Sequence, residues 1–183
     1  SDSGKIIAIV GPNGAGKSSL LSYIANEIEP KKNEIQFKKI LLKNWKKEDL
    51  SQHKAKFSQH QPADIPLTVE EVVLMGRYPY FDHQPQKNDT NAIELWMNKT
   101  NISHLKNREY IHLSGGEKQR VHLARIFSQL DNNHQQKLIL LDEPLNNLDV
   151  SHQFNLLETL VELKQKENLI ILVIHDLNLA AQL

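Results

Sequence analysis

Residues Gly11-Pro12-Asn13-Gly14-Ala15-Gly16-Lys17-Ser18 follow the apolar run Ile6 to Val10 and match the spacing GxxxxGK[ST]. Glycines at such positions let backbone N–H groups turn inward on a polyphosphate, because a Cβ would block the approach or penalise positive φ. Lys17 would then reach the β- and γ-phosphates and Ser18 would offer a hydroxyl to Mg²⁺. The helix beginning there would aim its positive dipole end at the anion. The bland alternative is a glycine-rich turn that only joins a strand to a helix. An apolar β-run before the loop and the amphipathic pattern Leu20, Leu21, Ile24, Ala25, Ile28 after it favour a phosphate loop, so the chain is expected to bind ATP or GTP.

A second set of reactive residues stands far downstream, where Leu138-Ile-Leu-Leu runs into Asp142-Glu143-Pro144. Adjacent carboxylates usually mark a solvated strand end. Four aliphatic residues before them and a phosphate loop upstream point instead to chemistry: Asp142 would hold the Mg²⁺ hydration shell, and Glu143 would orient or deprotonate an attacking water. Between the two lies Leu113-Ser-Gly-Gly-Glu117-Lys-Gln-Arg120, in which Ser114 and Glu117 have the spacing of a capping box. A capped helix start with two glycines also presents a concave set of backbone donors suited to a phosphate.

Short apolar stretches must carry these groups. Lys5 to Val10, Leu138 to Leu141 and Leu169 to Ile174 are expected as strands buried on both faces of a parallel sheet. Helical patterns alternate with them: Val121, Ala124, Phe127 and Leu130 in one, and Phe154, Leu157, Leu160, Val161 and Lys164 in another that Asp149 or Ser151 could cap. The alternation predicts an α/β layered fold. Glu34 to Leu42 and Lys54 to Ser58 read as weaker strand material in a small β-rich appendage. From about Val69 to His112 the pattern is helical and more polar, with a loop-like interruption at Tyr78 to Asp89, which suggests an inserted helical subdomain.

Composition narrows the function classes. The 183 residues, 39% hydrophobic and 24% charged, suit one globular domain, and 22 basic against 22 acidic residues leave no general attraction to nucleic acid or anionic lipid. Without cysteine there are no disulfides and no thiolate ligands. The apolar runs are too short to span a bilayer and the Ser-Asp-Ser start lacks a secretion pattern, so any membrane role is expected through a partner.

The segment Leu113 to Arg120 resembles the signature sequence of ATP-binding cassette (ABC) ATPases, and other motifs of that family fall in order around it. The resemblance implies a P-loop NTPase core with a mostly parallel sheet, an inserted helical subdomain (about 69–112, with core 1–68 and 113–183) and a small partial antiparallel β subdomain. It also implies an ATPase using ATP and Mg²⁺. Gly11 to Ser18 and Ser19 would hold nucleotide within one chain. Ser114, Gly115, Gly116 and Asp149 would meet the nucleotide of a second copy in a head-to-tail dimer. Gln59 resembles the Q-loop glutamine, which contacts Mg²⁺ or water. Asn146-Asn-Leu-Asp149 resembles the D-loop, and His175 resembles the switch histidine at the γ-phosphate. His53, His60, His83, His104, His112, His122, His134 and His152 are expected to be ordinary surface or packing residues.

Leu67 to Pro79 is similar to the corresponding region in importers of haem, ferric siderophores and cobalamin. Gln119 to Arg125, Asp149 to Gln153 and His175 to Ala180 are most similar to haem-importer ATPases. That likeness implies transmembrane permease subunits as partners, a substrate-binding protein indirectly, no nucleic acid, and a place on the cytoplasmic face of the membrane. Gly76, Arg77, Tyr78 and Tyr80 are expected at the rim that docks a permease. A non-transport ABC ATPase, or a nucleotide-binding module without turnover, are the competing readings. The chain lacks the upstream aromatic residue on which members stack adenine, has Leu145 where they have Thr or Ser, and is expected to be shortened at both ends, with a sheet edge left uncovered.

Overall fold

Apolar β-formers and amphipathic helical stretches alternate, and the backbone follows them: β1 (Lys5–Val10), α1 (Lys17–Ile24), β2 (Gln36–Phe37), β3 (Ile40–Leu41), α2 (Lys47–Ser51), β4 (Lys54–Phe57), α3 (Val69–Leu74), α4 (Lys87–Lys99), α5 (Gly115–Gln129), β5 (Leu138–Asp142), α6 (Val150–Gln165) and β6 (Leu169–Ile174). The computed structural model describes residues 4–28, 35–58 and 66–174. Four strands form a parallel sheet in the order β1-β6-β5-β4, with Val10 beside Ile174, Asp142 beside Val173 and Phe57 beside Leu141. β2 and β3 pair separately as an antiparallel hairpin. The expected α/β class, with a parallel sheet and a small antiparallel element, is what the chain adopts.

Strand alternation sorts the core into two layers. Leu138, Leu140, Ile171 and Val173 pack with Leu21 and Ala25 at α1 on one face. Ile139, Leu141, Ile170 and Leu172 face the larger core, which α3, α4, α5 and α6 complete. Because all four strands run the same way, the chain leaves β1 and β5 at the same edge of the sheet, where ligands of open parallel sheets bind. The Gly11 loop and the Asp142-Glu143 pair are thereby delivered to one place.

Helix α5 links this edge to the segment between β4 and β5. Its first turn is closed by the expected capping box, Ser114 and Glu117. Its last carbonyls, orphaned as at any helix end, and those just beyond receive cations and hydroxyls: Arg77 Nη1 donates to Ser128 O (2.6 Å) and Asp131 O (2.8 Å), Tyr80 Oη to Gln129 O (2.5 Å) and Lys137 Nζ to Leu130 O (2.5 Å). Burial among these groups lowers the Lys137 ammonium to about 8. Among the described residues no helix is long and apolar enough to cross a membrane.

Several local expectations are corrected. β1 is buried on neither face along its whole length, because β6 is its one neighbour among the described strands and Ile7 and Val10 are exposed. Lys54 to Phe57 belongs to the main sheet rather than to a β-rich appendage, since it pairs with β5. Leu20 and Ile28 face outward, as α1 meets the sheet through Leu21 and Ala25 four residues apart and ends at Ile24. In α6 the buried stripe is Leu156, Leu157, Leu160 and Leu163. Phe154 stands two residues out of phase with it and is half exposed. The interruption at Tyr78 to Asp89 is narrower than expected: a 3₁₀ turn runs over Met75–Tyr80 and α4 resumes at Lys87. Within that turn, Gly76 and Arg77 are buried rather than on a rim. A Cβ on Gly76 would overlap the Arg125 carbonyl oxygen, and Arg77 pairs with Asp89 (Nε to Oδ1, 2.9 Å) inside the core, leaving Tyr78 as the exposed residue of the four.

Candidate active site

The phosphate loop leaves β1 through Gly11 and enters α1 through Gly14 and Gly16, which have φ of 80° and 85°. Those left-handed values explain the two glycines; Gly11 has no positive φ, and a Cβ there would make ordinary contacts. Gly16 is also the N-cap of α1, without a side-chain cap bond and without an acidic residue in the first turn. The first N–H groups of α1 therefore have no side-chain competitor for an anion. Lys17 is buried, and its Nζ donates to Gly11 O and Pro12 O, both at 2.8 Å, so the ammonium lies inside the curl of the loop.

Ser18 Oγ donates to Asp142 Oδ1 at 3.1 Å across 124 residues of sequence. One hydroxyl and one carboxylate at the mouth of a phosphate loop are hard oxygen donors, and they fit Mg²⁺ held jointly by protein and substrate phosphates better than a nitrogen-preferring metal. Asp142 is buried at the end of β5.

Glu143 sits immediately beyond, with φ at 53°, an uncommon setting for a residue with a long side chain. Such conformations persist where surrounding structure holds them, and they concentrate at active sites. Here the Glu143 N–H donates to Val173 O (3.1 Å), and Asn146 Nδ2 donates to Glu143 Oε2 (2.6 Å). The turn aims the buried carboxylate into an open cleft whose walls include Asn13, Lys17, Ser18 and Asn146.

A second surface is built around the start of α5. Ser114 Oγ accepts from Glu117 N (3.3 Å), and Ser114 N donates to Glu117 Oε2 (2.7 Å). The backbone and hydroxyl of Ser114 hold the Glu117 carboxyl below the usual range. Ser114 and Gly115 are exposed, and a Cβ on Gly115 would meet nothing within 4 Å. Gly116 differs: a Cβ there would lie 2.7 Å from Asn147 O, so glycine is what allows the 146–149 loop to approach the helix. Gln119 Nε2 reinforces the approach by donating to Pro144 O at 2.5 Å. Asp149, not Ser151, caps α6. Its Oδ1 accepts from His152 N (2.9 Å), and bonds from His152 and Ser151 also help to hold its carboxyl down at about 2.

Of the residues expected to act together, the structure brings Lys17, Ser18, Asp142 and Glu143 to one cleft, and places Ser114, Gly115, Gly116 and Asp149 on the α5–α6 surface. Gln59 and His175 lie outside the described residues. Sequence reasoning did not find Asn146 as the partner of Glu143, nor Gln119 and Gln153 as braces of the loop between them. Gln153 Nε2 donates to Leu145 O (3.1 Å) and Leu148 O (3.2 Å). Asn146 is three residues beyond Glu143, a spacing that suggests a turn bond. The two glutamines carried no such signal. His122, expected as a packing residue, is buried against Tyr110 Oη (2.7 Å), and desolvation lowers it to about 3.

A family model described as ABC transporter matches residues 2–146. Hemin import ATP-binding protein HmuV of Vibrio parahaemolyticus is 41% identical over 180 residues, an alignment covering 98% of this chain and 68% of that protein. Among solved structures, an inward-facing metal-chelate type ABC transporter superposes with a TM-score of 0.78 at 28% identity, over 99% of this chain and 67% of its own. A dimeric bacterial ABC transporter cassette superposes with a TM-score of 0.80 at 25% identity, over 98% and 78%.

Proposed function

From the premise that this chain belongs to the ABC transporter family, we propose that it is the ATP-hydrolysing subunit of an importer of haem or a related iron chelate. Two copies would close head to tail around two ATP molecules. The observation that carries the ATPase reading is the convergence of Lys17, the Ser18–Asp142 pair and the left-handed Glu143 on one cleft. The cargo reading rests on the likeness to the Vibrio protein and to the metal-chelate transporter.

Each group has a role that its geometry supports. The first N–H groups of α1 and the Lys17 ammonium bind the β- and γ-phosphates and neutralise charge as the terminal P–O bond breaks. Ser18 and Asp142 would hold Mg²⁺, which would supply positive charge against the phosphates. Glu143 orients a water in line with the γ-phosphorus and takes up its proton as the new P–O bond forms; ADP leaves with the bridging oxygen. Asn146 keeps the carboxylate aimed. Gln59 and His175 are assigned, from the family's motifs, to the metal or its water and to the γ-phosphate. The exposed Ser114 turn, with Asp149 beside it, meets the γ-phosphate bound by the other copy. Residues 69–112 are taken as a helical subdomain that, with exposed Tyr78, faces the permease at the cytoplasmic side of the membrane, and a substrate-binding protein supplies the cargo.

Glu143→Gln tests the catalytic assignment. Phosphate release should fall by about 10²- to 10⁴-fold while ATP still binds; near-normal release would refute the role of Glu143. Deleting the gene should abolish growth on hemin as sole iron source, and undiminished growth would refute the cargo.

A further inference from the structure

Between α5 and the start of α6 runs a side-chain bridge whose Arg120 and His152 have no part in the roles above. Arg120, in the second turn of α5, donates from Nη1 to His152 Nε2 at 2.7 Å and to Asn101 O at 2.8 Å. His152 Nδ1 lies 2.8 Å from Asp149 Oδ1. A guanidinium can only donate, so Nε2 is the acceptor, the neutral ring carries its proton on Nδ1, and that proton goes to Asp149. The imidazole thus has one tautomer set from both sides. Its side chain is 18% exposed, so little water reaches the ring, whereas the Asp149 carboxylate that it meets is 65% exposed.

The bridge joins two segments that also touch through backbone. Asn147 O lies over Gly116, and Gln119 holds Pro144 O. Those contacts fix the near end of the 144–149 loop to the first turn of α5. Without the His152 ring, the side-chain bonds left to the far end would all come from α6, through its cap and through Gln153 Nε2 to Leu148 O.

We propose that His152 is a positioning residue that locks the loop ending in Asp149 onto α5, so that the Ser114 turn and Asp149 of one chain reach the second copy's nucleotide as a single rigid surface. The inference rests on the head-to-tail reading above. A rigid surface matters because the γ-phosphate must be met by donors already in place; a misplacement of about 1 Å in such groups can cost a large factor in rate. The requirement at position 152 is an acceptor toward Arg120 and a donor toward Asp149. A glutamine amide supplies both, an alanine neither.

His152→Ala and His152→Gln test this in the full chain, through ATP turnover and through amide hydrogen exchange without nucleotide. In His152→Ala, kcat should fall roughly tenfold while half-saturating ATP, set by the phosphate loop, changes by less than about twofold. In His152→Gln, kcat should return to within about threefold of wild type. Exchange should quicken together at 115–118 and 145–149 in His152→Ala and not in His152→Gln. Wild-type turnover in His152→Ala, equal impairment in both variants, or faster exchange in only one of the two segments would overturn the proposal. If the wild-type chain neither hydrolyses ATP nor pairs, the head-to-tail reading fails, and the exchange experiment still decides whether His152 couples the segments.

Discussion

Helices α1 and α5 begin in opposite ways. α1 starts from a left-handed glycine, with no side-chain cap and no acid in its first turn. α5 starts from a full capping box, with Ser114 bonded to the backbone of Glu117 and the Glu117 carboxylate returned to the backbone of Ser114. The first arrangement leaves its donors for a ligand and is held by the strand before it and by Lys17. The second ties back the Ser114 and Glu117 N–H groups within its own first turn and keeps an exposed hydroxyl that still has a proton to donate. One end is therefore suited to gripping a polyphosphate within the chain. The other is suited to arriving, preformed, at a phosphate held elsewhere.

The contrast can be broken from the far end of α5. Arg77→Met would strand the Asp89 carboxylate in the core and release Ser128 O and Asp131 O, and should lower stability by about 3–5 kcal/mol in urea unfolding. A loss below about 1 kcal/mol would mean that α5 is not anchored there. Lys17→Ala acts on the other helix. It should weaken ATP binding by about 10- to 100-fold, the worth of a hydrogen bond to a charged group, with calorimetry as the readout and unchanged affinity as the contrary result. Ser114→Ala removes one cap and should cost about 1 kcal/mol of stability while leaving ATP affinity at α1 intact, since the two helix starts bind different things.

The smallest effect is a pH dependence on the α5–α6 surface. The Asp149 carboxyl, bonded by the His152 N–H, then by Ser151 and the His152 ring, lies at about 2 against an ordinary 3.8. Its contribution is therefore fully present above pH 3.8 and is lost as pH falls through 2. Urea midpoints between pH 4.5 and 2 should drop more steeply in wild type than in Asp149→Asn, and equal slopes would show that the cap is not titrating.

How much of this could be read from the residues depends on how local the signal was. Gly14, Gly16, Lys17 and Ser18 are set by spacing within one loop, and Ser114 with Glu117 by spacing within one turn, so both helix starts were legible. The five-residue strand ending in Asp142 was legible for the same reason. Arg77 was not: a lone charge beside exposed aromatics reads as surface, and only the folding of α4 and α5 around it supplies Asp89 and two carbonyls. Gly116 looked like a phosphate-binding glycine and is instead the place where the Asn147 carbonyl needs room. Neither contact is encoded by nearby residues. The face of α6 at Phe154 is not legible because Phe154 and Leu157 are themselves three residues apart, so periodicity alone does not say which side of Leu157 is buried.

Sedimentation of the Glu143→Gln chain with and without ATP and Mg²⁺ tests the central claim that two unlike helix starts from two copies meet at one nucleotide. The predicted result is a 21.0 kDa species that doubles in mass only with ATP, and that no longer does so when Gly115, whose Cβ direction is open, is replaced by Asp. ATP bound tightly by a chain that stays single, or pairing that survives Gly115→Asp unchanged, would contradict it.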